Sequence, residues 1–352
     1  MRQLLIGFVI CCCAIMACKQ EIEPKEAYST DIDEYSSDKA DITATNLLTV
    51  QQAHELLKTH SEKYIPVQVS KEKVFEKGHL PQAMNIWRPD YASDKTEPYG
   101  GLIPERGKLE DLLQSFGFMN GKTLLLYDAK ANVDALRFAW VLDLYGFADY
   151  KIINGGLEHW KQNGLPIKTG DAEVRQKSDY KLPTYFNEKI IATYEDVRAA
   201  ISDSTTLLID TRENYEFRGA PFVKDGELFA YKKGAFDRGS IPTAVHQNWS
   251  MLADLKGDHR IKSEQDLRHD LESNGITEDK HIILYCHSGS RTSHSYYVLK
   301  KVLGYENVKN YDGSWIEWTY RHTQDETVPL QKLCSESEFK IIEDSLKLSL
   351  IQ

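Results

Sequence analysis

Short apolar runs alternate with segments of helical periodicity through most of the chain. In its second half, Thr205 to Asp210 and Ile282 to Tyr285 have the length and composition of buried strands. Other segments carry apolar residues at helical spacing, and they predict helices at Glu195 to Ile201, Glu264 to Asn274 and Thr292 to Leu303. Short strands that alternate with helices are typical of a parallel sheet covered on both faces, so the pattern predicts an α/β fold.

The chain contains an internal repeat, and each copy has this alternating pattern. An early pair of matching segments, residues 67–69 and 209–211, lies at a smaller offset than the later pairs, so the second copy carries an insertion, which we place between Gly219 and Arg238. The sequence therefore predicts two tandem domains, each a mainly parallel sheet flanked by helices. The later matching segments are residues 78–83, 124–127 and 154–160, which recur as residues 239–244, 282–285 and 312–318.

Polar segments without hydrophobic periodicity mark the boundaries of these domains. Residues 18–43 are rich in Glu, Asp, Lys and Ser and predict a disordered tether. Residues 168–190 are polar, contain a glycine and a proline, and predict a linker between the copies. We accordingly place the two domains at residues 44–167 and 191–325, and a polar C-terminal tail at residues 326–352.

The first residues of the chain have the features of an export signal. Arg2 precedes an uninterrupted stretch of apolar and small residues from Leu4 to Ala17. This stretch is shorter than the roughly 20 residues of a transmembrane helix but fits the apolar part of a signal peptide. Residues 15–18 resemble a bacterial lipobox, which implies cleavage of residues 1–17 and lipidation of Cys18. We expect a membrane-anchored lipoprotein of the bacterial cell envelope, on its periplasmic or surface face; a plain cleaved signal and an uncleaved anchor are the alternatives.

The composition is that of a globular protein, with 41% hydrophobic and 27% charged residues. A formal net charge of −10, without any Lys/Arg-rich run, argues against a nucleic-acid-binding surface. Most of the six cysteines lie in the first 18 residues, and only Cys286 and Cys334 remain after the expected processing. No disulfide framework is evident. A bridge between these two residues is possible, but Cys334 lies in the polar tail and is interpreted as incidental.

A polar loop follows the predicted strand that ends at Tyr285 and precedes the next predicted helix. Such a loop points backbone N–H groups and the positive end of a helix dipole at one centre, which lowers the pKa of a cysteine and stabilises an anion or a persulfide. Cys286 is the candidate nucleophile, Arg291 supplies a permanent positive charge, and Gly289 permits a tight turn. Further donors for a bound substrate are available from His287, Ser288, Ser290 and Thr292.

The pattern Cys286-x-x-Gly289-x-Arg291 in this setting resembles the active-site loop of the rhodanese family. The same copy contains further motifs similar to those of the family, in the family's order, and with the first copy they span about residues 45–325. The resemblance implies a sulfurtransferase in which Cys286 carries a sulfur atom as a persulfide and Arg291 binds the anionic end of the donor. The further motifs are Asp210-Thr211-Arg212, Gly239-x-Ile241-Pro242-x-Ala244 and Tyr311-Asp312-Gly313-Ser314-Trp315-x-Glu317-Trp318.

Asp210 and Arg212 are expected to brace the site rather than to perform chemistry. The first copy lacks all three residues. Gln68 stands at the position of Asp210, Ser70 at that of Arg212 and Asp128 at that of Cys286. Since a carboxylate cannot carry sulfur, this copy is expected to be structural and to form one wall of the active-site cleft.

The resemblance implies a small-molecule sulfur donor, a thiol or cyanide as acceptor, and no metal or organic cofactor. Glu216 stands where several thiosulfate and mercaptopyruvate enzymes of the family carry an arginine, which leaves the donor open. Mercaptopyruvate enzymes usually show Gly-Val-Thr where this chain has Gly289-Ser290-Arg291, so we favour thiosulfate, with 3-mercaptopyruvate as the alternative.

The residues of this loop allow three other interpretations. A zinc site from Cys286, His287 and His294 lacks ligand pairs at zinc-site spacing. Phosphatases and arsenate reductases with a Cys-x5-Arg loop have one more residue between Cys and Arg than the stretch 287–290 provides. A non-catalytic rhodanese-like binding module is the remaining alternative, and the presence of both Cys286 and Arg291 argues against it.

Overall fold

The computed structural model describes residues 46–351, which form two five-stranded parallel sheets, one in each copy of the repeat, and a separate two-stranded hairpin. The expected signal peptide at residues 1–17, the lipidation site Cys18 and the tether at residues 18–43 lie outside the described residues. Within the described part of the chain, no helix is both long and apolar enough to cross a bilayer.

The first domain consists of one sheet with helices packed against it. Its helices are α1 (Val50–Thr59), α2 (Glu72–Phe75), α3 (Arg106–Ser115), α4 (Val133–Leu144) and α5 (Gly156–Gln162). Its strands are β1 (Leu47–Leu48), β2 (Tyr64–Val69), β3 (Met84–Ile86), β4 (Thr123–Tyr127) and β5 (Tyr150–Ile153). The strands lie in the order β1-β5-β4-β2-β3, and every neighbouring pair is parallel.

The second domain repeats this plan and adds a hairpin and a C-terminal helix. Its strands are β6 (Ile191–Ala192), β7 (Thr206–Asp210), the hairpin strands β8 (Phe222–Lys224) and β9 (Glu227–Phe229), β10 (Val245–His246), β11 (His281–Tyr285) and β12 (Val308–Tyr311). Its helices are α6 (Tyr194–Ala200), α7 (Asn214–Arg218), α8 (Glu264–Glu272), α9 (Ser290–Tyr297), α10 (Ser314–Gln324) and α11 (Glu336–Ile351). The parallel sheet has the order β6-β12-β11-β7-β10, which corresponds strand by strand to the order β1-β5-β4-β2-β3 of the first domain.

The α/β fold with two mainly parallel sheets is confirmed, and the strands predicted in the second half match β7 and β11 closely. The helix predicted from Thr292 begins two residues earlier, at Ser290, directly after the left-handed Gly289 (φ 82°), and continues into a π-helical turn at Val298–Val302. The insertion predicted between Gly219 and Arg238 contains the hairpin of β8 and β9, whereas the first domain has no strand between α2 and β3.

Equivalent hydrogen bonds in the two domains show that the repeat is structural. The hydroxyl of Tyr127, at the end of β4, accepts a hydrogen bond from the Leu80 backbone N–H at 2.9 Å. The hydroxyl of Tyr285, at the end of β11, accepts one from the Ile241 N–H at 3.1 Å. In both domains a buried tyrosine thereby ties the end of the central strand to the Pro-containing turn before the edge strand.

The region predicted as a polar tail, residues 326–352, contains α11 and packs against the insertion. α11 contacts both β8 and β9. Arg238 joins the two regions, because its guanidinium donates to the carbonyl oxygens of Gly219 at 2.7 Å and Cys334 at 3.1 Å and lies 4.3 Å from the ring centre of Phe339. Cys334 is fully buried at this junction rather than exposed.

The two domains share one hydrophobic core, which includes α4 and α9 packed against each other. At the edge of this contact the guanidinium of Arg137, on α4, lies 2.6 Å from the carboxylate of Asp312, and both side chains are almost fully buried. The same carboxylate accepts a hydrogen bond from the Ile103 N–H at 2.8 Å. Since a buried charge is stable only when it is paired, this contact fixes the first domain against the loop that follows β12.

Candidate active site

The loop between β11 and α9 is a tight turn that leaves room only for a glycine at position 289. Gly289 has a φ of 82°, and a side chain there would place its Cβ 2.6 Å from Nη1 of Arg137 and 3.0 Å from Oδ1 of Asp312. The left-handed conformation is also costly for residues other than glycine. The turn therefore begins α9 at Ser290, four residues after Cys286, and places Arg137 of the first domain against Gly289.

The Cys286 side chain is almost fully buried beneath this turn. Burial opposes ionisation of its thiol, yet the pKa is lowered, because the charge of Arg291 and the backbone N–H groups of Thr292 and Ser288 favour the thiolate, with a further contribution from Lys232. The hydroxyl of Thr292 lies 3.9 Å from Sγ and donates to the Gly289 carbonyl at 2.7 Å. The turn thus stabilises a negative charge on sulfur, as nucleophilic catalysis requires.

In the first domain the equivalent turn closes around a carboxylate. Oδ1 of Asp128 accepts a hydrogen bond from the Lys130 N–H at 2.6 Å, and Oδ2 accepts one from the Asp134 N–H at 2.7 Å. These two N–H groups occupy the same places in the repeat as the two that favour the Cys286 thiolate. Burial raises the pKa of Asp128 to about 6. The first domain therefore shows what this turn accommodates, a buried anion in a nest of backbone N–H groups.

From the sequence we expected Arg291 to bind the anionic end of the donor. In the structure Arg291 instead pairs with Glu216. Its guanidinium forms a two-point contact with the carboxylate of Glu216, with Nη2 donating to Oε1 at 3.0 Å and Nη1 to Oε2. Burial opposes ionisation of Glu216, but Arg291 holds its pKa well below the ordinary value. The charge of Arg291 still favours the Cys286 thiolate. The edge of the guanidinium formed by Nη1 and Nη2 already pairs with the carboxylate of Glu216.

Asp210 and Arg212 form a buried ion pair beneath the site. Nε of Arg212 donates to Oδ1 of Asp210 at 2.9 Å, and Nη2 donates to the Gly239 carbonyl at 2.7 Å. The guanidinium also lies 4.5 Å from the ring centre of Trp315. The pair joins the end of β7 to the turn before β10, and this geometry fits the supporting role expected from the sequence.

The other loop residues differ in their exposure to a substrate. His287 is buried, and its Nε2 lies 3.0 Å from the Lys233 carbonyl in the insertion. Burial and the neighbouring Lys232 lower the pKa of His287 to about 3, so the ring is neutral at ordinary pH. Ser290 is also buried, whereas Ser288 is partly exposed. Of the predicted substrate-binding residues, His287 therefore serves the packing of the insertion, and Ser288 is open to a ligand.

Sequence comparison identifies the family. Two stretches, residues 49–163 and 193–321, match the model of the rhodanese-like domain. The chain belongs to the rhodanese family. It is 34% identical over 249 residues to the sulfur carrier protein TtuD of Thermus thermophilus, with 70% of this chain and 84% of that protein covered. It is 32% identical over 246 residues to SseA of Mycobacterium bovis, named as a candidate thiosulfate sulfurtransferase, with 70% and 78% covered.

Solved structures share the fold of this chain. The anaerobic ergothioneine biosynthesis enzyme from Chlorobium limicola superimposes with a TM-score of 0.68 at 19% identity, covering 81% of this chain and 70% of that one. YnjE superimposes with a TM-score of 0.64 at 22% identity, covering 81% and 68%. At these identities the likeness shows the fold.

Two cationic residues of this rhodanese site were not predicted from the sequence. Lys232 lies in the insertion, which has no counterpart in the first domain, and Arg88 follows β3 of the first domain and donates to Asp134 at 2.8 Å. The charge of each interacts with the Cys286 thiol. Neither lies in a motif or at a repeated position, so only the folded arrangement reveals them.

Among residues 46–351, no group of three or more His, Cys, Asp or Glu side chains is placed to hold a metal ion.

The pairing of Arg291 with Glu216 makes opposite predictions for two single substitutions. Arg291→Gln removes a positive charge and should raise the pKa of Cys286, so its alkylation by iodoacetamide below neutral pH should slow several-fold. Glu216→Gln removes the charge that offsets Arg291 and should lower the pKa, which moves the pH profile of alkylation to more acidic values. Peptide mass spectrometry across a pH series measures both rates.

Cys334 provides an internal reference in these measurements, because burial raises the pKa of its thiol and it lies at the junction with α11. Its alkylation should not change in either variant. Thermal melting must show that both variants are folded. A pH profile of Cys286 that moves in the same direction in both would contradict the assignment of Arg291 and Glu216 as opposing charges.

Proposed function

We propose that this rhodanese-family chain is a sulfurtransferase that carries a sulfane sulfur as a persulfide on Cys286. The observation that carries the proposal is the nest of backbone N–H groups around the Cys286 sulfur, whose counterpart in the first domain holds the carboxylate of Asp128. A persulfide places its negative charge on a terminal sulfur, which a nest of this kind stabilises. The names of the sulfur carrier and sulfurtransferase relatives support the same chemistry.

The proposed reaction has two half-reactions on one carrier, which predicts ping-pong kinetics. In the first, the Cys286 thiolate attacks the outer sulfur of thiosulfate, a new S–S bond forms, and the S–S bond of thiosulfate breaks as sulfite leaves with its electron pair. In the second, cyanide or a thiolate takes the terminal sulfur from the persulfide and restores the thiolate. Cyanide leaves as thiocyanate, and neither step requires an outside oxidant or reductant.

The contact between Arg291 and Glu216 favours thiosulfate over 3-mercaptopyruvate as the donor. A guanidinium presents paired N–H donors that match a planar carboxylate, and Glu216 already fills that position. A carboxylate donor would have to compete with this buried ion pair. The sulfonate-like end of thiosulfate is compact and requires no planar partner.

The proposal predicts a change in the mass of Cys286. Incubation of the purified chain with thiosulfate should add a single sulfur to the peptide that contains Cys286, and cyanide should remove it. The Cys286→Ser variant should gain nothing, while the Cys334→Ser variant should load like the unmodified chain. Absence of loading from thiosulfate but loading from 3-mercaptopyruvate would replace the donor. Absence of loading from both would favour the non-catalytic binding module.

We further propose that the protein acts in the bacterial cell envelope, anchored through a lipid on Cys18. The apolar stretch from Leu4 to Ala17 and the lipobox-like residues 15–18 support this localisation. A lipid anchor would hold both domains near a membrane without a transmembrane helix.

Lipidation can be measured by metabolic labelling with a fatty-acid analogue in a bacterial host. The unmodified chain should be labelled and should sediment with membranes, whereas Cys18→Ser should lose the label and the membrane association. Cys13→Ser, in the same apolar stretch, should remain labelled because it lies before the proposed cleavage point. Label retained in Cys18→Ser would contradict the proposal.

A further inference from the structure

The insertion of the second domain delivers one side chain to the candidate active site. Lys232 follows the hairpin of β8 and β9 and lines a narrow cavity of about 10 Å³ together with Glu216 and His287. A space of this size admits roughly one water-sized group, such as a single oxygen of a bound anion, and not a whole donor. The cavity therefore connects the insertion with the Arg291–Glu216 pair and with the residue that follows Cys286.

The charges around Cys286 are unequally compensated. Arg88 and Arg291 each pair with a carboxylate, Asp134 and Glu216 respectively. Among the described residues, Lys232 forms neither an ion pair nor a side-chain hydrogen bond. Burial and the nearby Arg291 lower its pKa, and the charges of Glu216 and of the Cys286 thiolate, which raise it, only partly offset them. An anion bound beside Lys232 would offset the repulsion between Lys232 and Arg291. The surroundings of the ammonium group therefore favour a negatively charged ligand.

We propose that Lys232 is the residue that recognises the donor, and that its ammonium group binds the anionic, sulfonate-like end of a small sulfur donor while the transferable sulfur faces Cys286. The inference rests on the proposed function, since it assigns the donor-binding residue of that reaction. It gives Lys232 the role that the sequence predicted for Arg291, because the edge of Arg291 formed by Nη1 and Nη2 already pairs with Glu216. An ammonium group acts as a compact point charge, which suits a tetrahedral anion.

Contacts at both ends of the insertion hold Lys232 in position. On the side of the active site, the Lys233 carbonyl lies 3.0 Å from Nε2 of His287. On the far side, α11 packs against β8 and β9, and Arg238 contacts Glu336 of α11 at 2.5 Å. The C-terminal helix therefore supports the segment that carries Lys232, which gives the insertion and the tail a joint role in donor binding.

Steady-state kinetics with thiosulfate and cyanide tests this assignment. Lys232→Met should lower kcat/KM for thiosulfate roughly tenfold or more, the loss expected for a hydrogen bond to a charged group, mainly through a higher KM. Lys232→Arg keeps the charge and should retain most of the activity. Lys224→Met removes the same charge from an exposed position on β8 and should behave like the unmodified chain. Thermal melting controls for folding.

A second readout does not depend on the identity of the donor. The rate of Cys286 alkylation by iodoacetate, an anion, is compared with that by iodoacetamide, which is neutral. In the unmodified chain and in Lys224→Met the ratio should favour iodoacetate by several-fold more than in Lys232→Met. The ratio cancels any general change in thiol reactivity, so it reports attraction of an anion by Lys232.

The outcomes separate this inference from the proposed function. If neither thiosulfate nor 3-mercaptopyruvate loads the unmodified chain, the proposed function fails, and the alkylation ratio still decides whether Lys232 attracts anions. If the chain turns over thiosulfate but Lys232→Met changes neither kcat/KM nor the alkylation ratio, the inference is overturned. Equal losses in Lys232→Met and Lys232→Arg would also overturn it, because charge would then not be the cause.

Discussion

The structure depends on one constraint, that the turn after the central strand of each sheet must surround a buried negative charge. Backbone N–H groups at the start of α4 and α9 point at the same place in each domain. In the first domain the carboxylate of Asp128 supplies the charge, and in the second domain the Cys286 sulfur supplies it when ionised. The same geometry is therefore structural in one copy and available for chemistry in the other, and the identity of a single side chain decides which.

The surroundings of Cys286 keep this turn in place from three sides. The first domain contributes Arg137, whose contact with Asp312 holds α4 against the loop after β12. These two side chains leave room only for a glycine at position 289. The buried pair of Asp210 and Arg212 supports the turn from below. The insertion covers the remaining side. The contact between Arg137 and Asp312 joins the two domains, so the first domain is part of the site although it lacks a nucleophile.

The sequence predicted the local features of this arrangement and missed the long-range ones. The duplicated α/β fold, β7, β11 and the loop from Cys286 to Thr292 follow from periodicity and from motifs that are contiguous in the chain. The pairing of Glu216 with Arg291 joins α7 to α9, and Lys232 reaches the site from the insertion, so neither leaves a local pattern in the sequence. For the same reason Cys334, in a segment of polar composition, was interpreted as part of a tail and is instead buried under Arg238.

The central claim is that the nest around Cys286 holds a sulfur atom between two half-reactions. Its most direct test is the amount of sulfite released when the chain is mixed with thiosulfate in the absence of an acceptor. The account predicts a burst of about one sulfite per chain that then stops, since a loaded Cys286 cannot attack a second donor until an acceptor removes the sulfur. Sulfite release that continues without an acceptor, or that is absent from a correctly folded chain, would contradict the account.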